Sequence, residues 1–233
     1  MHVPILYEDN HLLAVAKPVN IPVQKDRSKD KDLLTFLKDD LKVRYNKPGN
    51  VFLALVHRLD RPVGGAMVFA KTSKAASRLS DTIRRGAFNR KYLAVVRGVP
   101  EEKEAELTHY LYKNKRKNQV YTVDAYHKNA KKAVLDYRVI DQAEQLSLLG
   151  IRLHTGRPHQ IRVQLSASGM PIYGDQKYAP HLSRPGQQIA LWSHALSFKH
   201  PTRDDVVQVV SHPPQDYPWR LWPKEVYNVQ TME

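Results

Sequence analysis

Residues 51–72 read VFLALVHRLDRPVGGAMVFAKT, and the rest of the chain is organised around this stretch. An apolar run from Val51 to Val56 leads into His57, Arg58 and, after Leu59, Asp60. Pro62 and the pair Gly64-Gly65 follow, and then a second apolar run from Ala66 to Ala70. Short β-branched and aromatic runs bounded by turn residues predict strand, tight turn, strand. Glycine permits backbone angles and close approaches that a side chain would block. The pattern therefore predicts Asp60 at the end of a buried strand, with Arg58 and Arg61 on either side. Arg58 stands two residues before Asp60, so on a strand the two would share a face. Taken alone, a carboxylate between arginines also fits an ion pair at an exposed hairpin.

Toward the N-terminus, ILYE and HLLAVAKP read as two strands around a turn at Asp9-Asn10, and Pro18 and Pro22 keep the chain extended. KDRSKDKD (25–32) is a charged, solvated loop. Leu33, Phe36, Leu37, Leu41 and Tyr45 recur at helical spacing, with Asp32 placed to cap the helix. Toward the C-terminus, Ser73 opens a second helix with Ala76, Leu79 and Ile83 as its apolar stripe and Gly86 as its end. Arg84 and Arg85 suit the negative end of that helix dipole. FNRKYLAVVR (88–97) returns to strand character.

Three further strands are expected in AELTHYLY, QVYTVDAY and KAVLDYRVI. The link KNKRKN (113–118) carries Lys113, Lys115, Arg116 and Lys117, with Tyr110, Tyr112 and Tyr121 nearby. That combination suits phosphate neutralisation and base stacking, and equally a solvated hairpin tip. QLSLLGIRLH (145–154) is another strand, and TGRP turns into a helix over about 158–168 that carries His159, Arg162 and Ser166. MPIYGDQKY (170–178) is a turn-rich loop, and 187–198 and 205–210 read as closing strands. The tail, with Trp219 and Trp222 among prolines, is expected to pack on the surface of the domain. The pattern is α+β with a mixed, mainly antiparallel sheet and flanking helices, in one domain over 1–233.

Net charge is +14, with a pI near 9.8, and this favours a polyanionic partner: nucleic acid first, an anionic membrane second. No stretch approaches the ~20 consecutive apolar residues of a membrane-spanning helix. The first residues lack the basic-then-apolar order of a signal peptide. There is no cysteine, so a disulfide framework and a thiolate metal site are excluded, and a reducing cytoplasm fits. A zinc deaminase is excluded with them. The histidines are scattered and form no paired-ligand motif beside a carboxylate cluster, which argues against a metal hydrolase.

Several separated stretches resemble, in order, the RluA-type pseudouridine synthases. These are ILYEDNHLLAVAKPVNIPV near the start, HRLD at 57–60, RKYLAVVRG at 90–98 and LHTGRPHQIRVQLSASGMPIYGDQKY at 153–178. The resemblance covers about residues 5–200 and implies a pseudouridine-synthase-like fold. It also implies isomerisation of a specific uridine in structured RNA, ribosomal or transfer, without metal or cofactor. It marks Asp60 as the catalytic carboxylate, Tyr92 as the tyrosine that stacks on the target base, and Arg162 as the partner of Asp60. Arg58 is implied to help hold the RNA with the nucleotide flipped out, at a cost of a few kcal/mol of lost stacking. Arg84, Arg85, Arg90, Lys113, Lys115, Arg116 and Lys117 are further candidate RNA contacts, and His57 is expected to support the turn. Direct attack by Asp60 on base or sugar, and a glycal route, use the same residues.

The sequence departs from the family pattern in two places. Val63-Gly64-Gly65 stands where Thr-Ser-Gly is usual, and Gln164 where a histidine is usual. The altered turn keeps open an alternative, a catalytically silent RNA-binding protein or chaperone on the same fold. No N-terminal accessory RNA-binding domain is expected, and the protein is expected to be a monomer.

Overall fold

The computed structural model describes residues 1–227. The first half contains β1 (Ile5–Glu8), β2 (Leu12–Lys17), α1 (Leu33–Arg44), β3 (Ala54–Leu55), β4 (Gly64–Ala70), α2 (Ser73–Arg84) and β5 (Asn89–Arg97). Then come β6 (Glu104–Asn114), β7 (Gln119–Val123), β8 (Lys131–Ala143), β9 (Leu146–Leu153), α3 (Gln160–Ala167), β10 (Leu191–Lys199) and β11 (Val206–Val210). The class is the expected one, α+β with mainly antiparallel strand pairing and few helices. The chain separates into two compact units: Met1–Asn89 with Ser193–Ser211, and Arg90–Trp192 with the segment from His212 onward. The expected domain ran to Glu233; residues 228–233 lie outside the described residues.

In the first unit β1 and β2 form the predicted hairpin, whose turn is closed by Asp9 accepting the His11 and Leu12 amides at 2.7 and 2.8 Å. β2 lies antiparallel along β4, from Leu12 opposite Ala70 to Lys17 opposite Gly65. Side chains alternate across a strand, so Leu12, Ala14, Ala66, Val68 and Ala70 fall on one face, which Ala75 and Leu79 of α2 cover. Full burial of a leucine such as Leu79 contributes about 1.5–3 kcal/mol. Phe88 and Phe198 stack beneath with centroids 4.6 Å apart. Both helices start on side-chain caps: Asp32, as expected, accepts the Thr35 amide at 3.0 Å, and Thr72 accepts that of Ala75 at 3.2 Å.

The 51–56 run differs from expectation. Only Ala54–Leu55 pair, opposite Ala70 and Phe69, and His57 to Asp60 form no strand. The reason is competition for β4. One edge of β4 is occupied by β2 along its whole length, and β10 neighbours β4 as well, with Ser193 donating its hydroxyl to the Ala66 carbonyl at 2.8 Å. The incoming segment therefore finds ladder partners only at the far end of β4. Gly64 and Gly65, expected in the turn, are the first residues of that strand.

The second unit orders its strands β5-β9-β8-β6-β7, each antiparallel to the next. Val163 of α3 packs with Leu111, Val120 and Ala133 on one face of these strands. α3 starts at Gln160 rather than 158, because His159 takes a left-handed conformation at φ 52° that interrupts helical winding. Gln160, the first helical residue, instead fixes the turn that precedes the helix. Its side-chain oxygen accepts the Thr155 hydroxyl at 2.8 Å and the Arg157 amide at 2.9 Å. Trp219 and Trp222 of the tail are buried, as expected.

Candidate active site

Asp60 stands in a turn, not at a strand end. Its carbonyl accepts the Val63 amide at 3.0 Å, closing Asp60-Arg61-Pro62-Val63. Leu59 and Val63 are buried on either side and fix the loop by packing, which leaves Asp60 half-buried between them. Where the chain leaves β4 after Leu55, the His57 ring takes over: Nε2 accepts the Val68 amide at 3.0 Å. His57 thus fastens the incoming segment to the middle of β4. Arg58 is exposed, and without a strand it shares no face with Asp60. Arg61 pairs with Asp30 of the charged loop and stands 3.9 Å from Asp26.

The sequence reading gave no role to Lys17, which holds this turn. It is the last residue of β2 and is fully buried. Its ammonium donates to the main-chain carbonyls of Val63 at 2.7 Å, Arg61 at 3.0 Å and Pro18 at 3.0 Å. Three donors meet three acceptors, which is what a buried ammonium requires. Two of those acceptors belong to the Asp60 turn. Burial pushes the Lys17 pKa down to about 7, opposed by the charge of Asp60 and assisted by that of Arg61. Lys17 is therefore within the electrostatic reach of the candidate carboxylate as well as bonded to its backbone.

Gly65 explains which part of the altered signature matters. A Cβ there would stand 2.2 Å from the Ser193 carbonyl oxygen, and φ is +115°. The glycine retained from the family pattern is the one the close approach of the two strands demands. Val63 and Gly64, which replace the usual hydroxyl residues, are both buried.

In the second unit Tyr92 lies on β5 opposite Ile151 of β9 and is nearly buried. Arg162 projects from the third residue of α3 and is 6% exposed. Asp175 grips its guanidinium bidentately, accepting Nε at 2.9 Å and Nη2 at 2.7 Å. The same carboxylate accepts the Lys177 and Tyr178 amides at 3.0 and 3.1 Å, so Asp175 is itself immobilised. Tyr178 lies under the guanidinium, 5.2 Å from ring centroid to Cζ. Asp175 was legible only as one acidic residue of GDQKY. Its spacing of thirteen from Arg162 matches no local pattern, and the turn-rich loop alone folds it back.

Arg90, expected as an RNA contact, is buried, and a Cβ on Gly156 would stand 2.6 Å from its Nη1. Its guanidinium fills the space that Gly156 leaves in the TGRP turn. Gln164 is also fully buried and donates to the Leu107 and Ala133 carbonyls at 2.9 and 3.3 Å, fastening α3 to β6 and β8. Lys113, Lys115, Arg116 and Lys117 are all exposed at the β6–β7 tip. That tip is a compact turn braced by Asn114 accepting the Lys117 amide at 3.0 Å and by Lys177 donating to the Asn118 carbonyl at 2.8 Å. Arg84 and Arg85 both pair with Asp81, instead of serving only the helix dipole.

The clamped Asp60 turn thus belongs to the first unit, and the strand tyrosine Tyr92 and the carboxylate-gripped Arg162 to the second. A model of the RNA pseudouridylate synthase family matches residues 11–167, and the chain belongs to that family. It is 33% identical over 225 residues to the ribosomal large subunit pseudouridine synthase D of Zymomonas mobilis, covering 91% of this chain and 69% of that protein. It is 30% identical over 223 residues to an uncharacterized RNA pseudouridine synthase of Synechocystis, covering 91% of this chain and 66% of that one. The chain thus spans about two thirds of the length of these curated relatives. Its fold is that of human RNA pseudouridylate synthase domain containing 4, with a TM-score of 0.76 at 22% identity over 98% of this chain and 92% of the human one.

Proposed function

We propose that the protein isomerises a specific uridine of structured RNA, ribosomal or transfer, to pseudouridine, with Asp60 as the catalytic carboxylate. The observation that carries this reading is the fixing of the Asp60 turn by Lys17 in a chain of this family. A carboxylate held in place can act as nucleophile or as base. Tyr92 is assigned to stacking on the target base and Arg162 to orienting the reacting groups. The grip of Asp175 supports the second assignment, since it removes the rotational freedom of the guanidinium before RNA arrives. Arg58 and the hairpin cations are assigned to the RNA backbone. Arg90 is assigned to holding the TGRP turn, because it is buried. The family match runs through both compact units, which supports reading them as one catalytic domain. A cytoplasmic monomer fits the cysteine-free, basic composition. Among the described residues no helix is long and apolar enough to cross a membrane.

The test is pseudouridine mapping across total RNA from cells with the gene, without it, and with Asp60→Asn. A uridine that loses its modification in both altered strains is the expected result and names the substrate. If no site is lost, and purified protein also leaves transcribed rRNA and tRNA unmodified, the catalytic reading is wrong and the silent RNA-binding alternative stands.

A further inference from the structure

A groove of about 1040 Å³ opens in the first unit between α2 and the turn that joins β10 to β11. Its walls carry five cationic side chains, Arg78, Arg84, Arg85, Lys199 and Arg203, against two acidic ones, Asp81 and Asp204. Two of the five hold the groove together. Arg78 donates across it to the Pro201 carbonyl at 2.5 Å, and Arg203 is fixed by Asp9, Asp205 and Tyr7. The other three are presented to solvent: Arg84 and Arg85, beside Asp81, are 80% and 73% exposed, and Lys199 is 68% exposed and paired with Asp204, itself 93% exposed.

Arg84 and Arg85 converge on the single carboxylate of Asp81, so two guanidinium charges face one acid. Exposed ion pairs of this kind contribute little, so another anion can readily take the place of the carboxylate. Ala87 and Pro201 are the apolar residues of the lining, which contains no phenylalanine, tyrosine, tryptophan or branched aliphatic side chain. Ser77 and Ser80 add hydroxyls to the same lining. Guanidinium forks, an ammonium and hydroxyls along an open channel match a chain of phosphates.

We propose that this groove binds the sugar–phosphate backbone of the substrate RNA, at a segment other than the one presented to Asp60. The inference rests on the proposed RNA substrate. It assigns to Arg84 and Arg85 a defined place and adds Lys199 to them. Asp81 then acts as a stand-in anion that holds the arginines in place and is displaced by phosphate.

The test uses the full-length chain and a fluorescein-labelled RNA hairpin, with affinity measured across a KCl series. The triple variant Arg84→Gln/Arg85→Gln/Lys199→Gln should bind at least fivefold more weakly at low salt. Three lost phosphate contacts should reduce the slope of log K against log salt by about 2. Asp81→Asn, which frees both arginines, should bind severalfold more tightly, a gain that misfolding cannot produce. Unchanged affinity and slope in both variants, with the wild type binding normally, would overturn the groove and leave the catalytic reading intact. The groove is equally overturned if the triple variant loses affinity for polyglutamate but not for RNA, since the partner is then an acidic protein. A wild type that binds no RNA overturns the functional reading itself.

Discussion

Replacing Asp175 with Asn tests whether the Arg162 guanidinium depends on its grip. The substitution preserves shape but removes the charge facing a guanidinium that is 6% exposed. It also weakens the acceptor of the Lys177 and Tyr178 amides. Breaking a buried ion pair by neutralising one partner costs about 3–5 kcal/mol, because the surviving charge stays desolvated. For a chain of this size each kcal/mol lowers Tm by roughly 2–4 °C. The expected fall is therefore on the order of 6–20 °C in a calorimetric or circular-dichroism melt. The companion double variant, Arg162→Met/Asp175→Asn, removes both charges, keeps an acceptor for the two amides and should recover most of that loss. If Arg162 has its assigned role, the double variant will nevertheless form no pseudouridine. A single variant that loses under about 1 kcal/mol would refute the argument that Asp175 compensates the buried charge.

Other consequences follow from single residues. The Asp9 carboxyl is pushed up by burial, but amides of His11 and Leu12, the Tyr7 hydroxyl and His200 pull it well below the usual carboxylate range. A depressed native pKa stabilises above the unfolded value and is lost as pH falls through the native one. Wild-type stability should therefore decline from about pH 5 downward. Asp9→Asn should be less stable at neutral pH with a flatter acid limb in urea titrations; equal slopes would exclude Asp9 as a source of the acid sensitivity. Gly65→Ala forces a Cβ to 2.2 Å from the Ser193 carbonyl oxygen at φ +115°, and should lower the unfolding free energy measured by urea titration by on the order of 3 kcal/mol. A neutral outcome there would show that the strands can part at that point. Changing Lys113, Lys115, Arg116 and Lys117 to Ser should flatten the salt dependence of RNA binding by about 3 in slope, with Tm unchanged. An unaltered slope would make the β6–β7 tip a solvated hairpin and nothing more.

Much of the architecture was legible because it is written in local patterns. The strand-like runs HLLAVAKP and AELTHYLY, the four-residue spacing of Leu33, Leu37 and Leu41, and the cap Asp32 all involve neighbours in the chain. The segment 51–56 misled for a reason that is not local. Its apolar residues are strand-like, but pairing needs a free edge, and β2 and β10 leave β4 little to offer. The start of α3 was misplaced because a left-handed His159 is a property of the folded turn, not of a proline's preference.

The sequence by itself determined the family, the α+β class and the candidate reactive groups, because signatures such as HRLD and TGRPHQIR are contiguous and chemically distinctive. Only the tertiary structure decided what holds those groups still. Lys17 reaches the Asp60 turn across more than forty residues, and Asp175 returns to Arg162 from a loop without regular structure. Both attachments are buried polar contacts. Their partners are chosen by whichever donors and acceptors the packed core leaves facing one another, and no spacing along the chain encodes that choice.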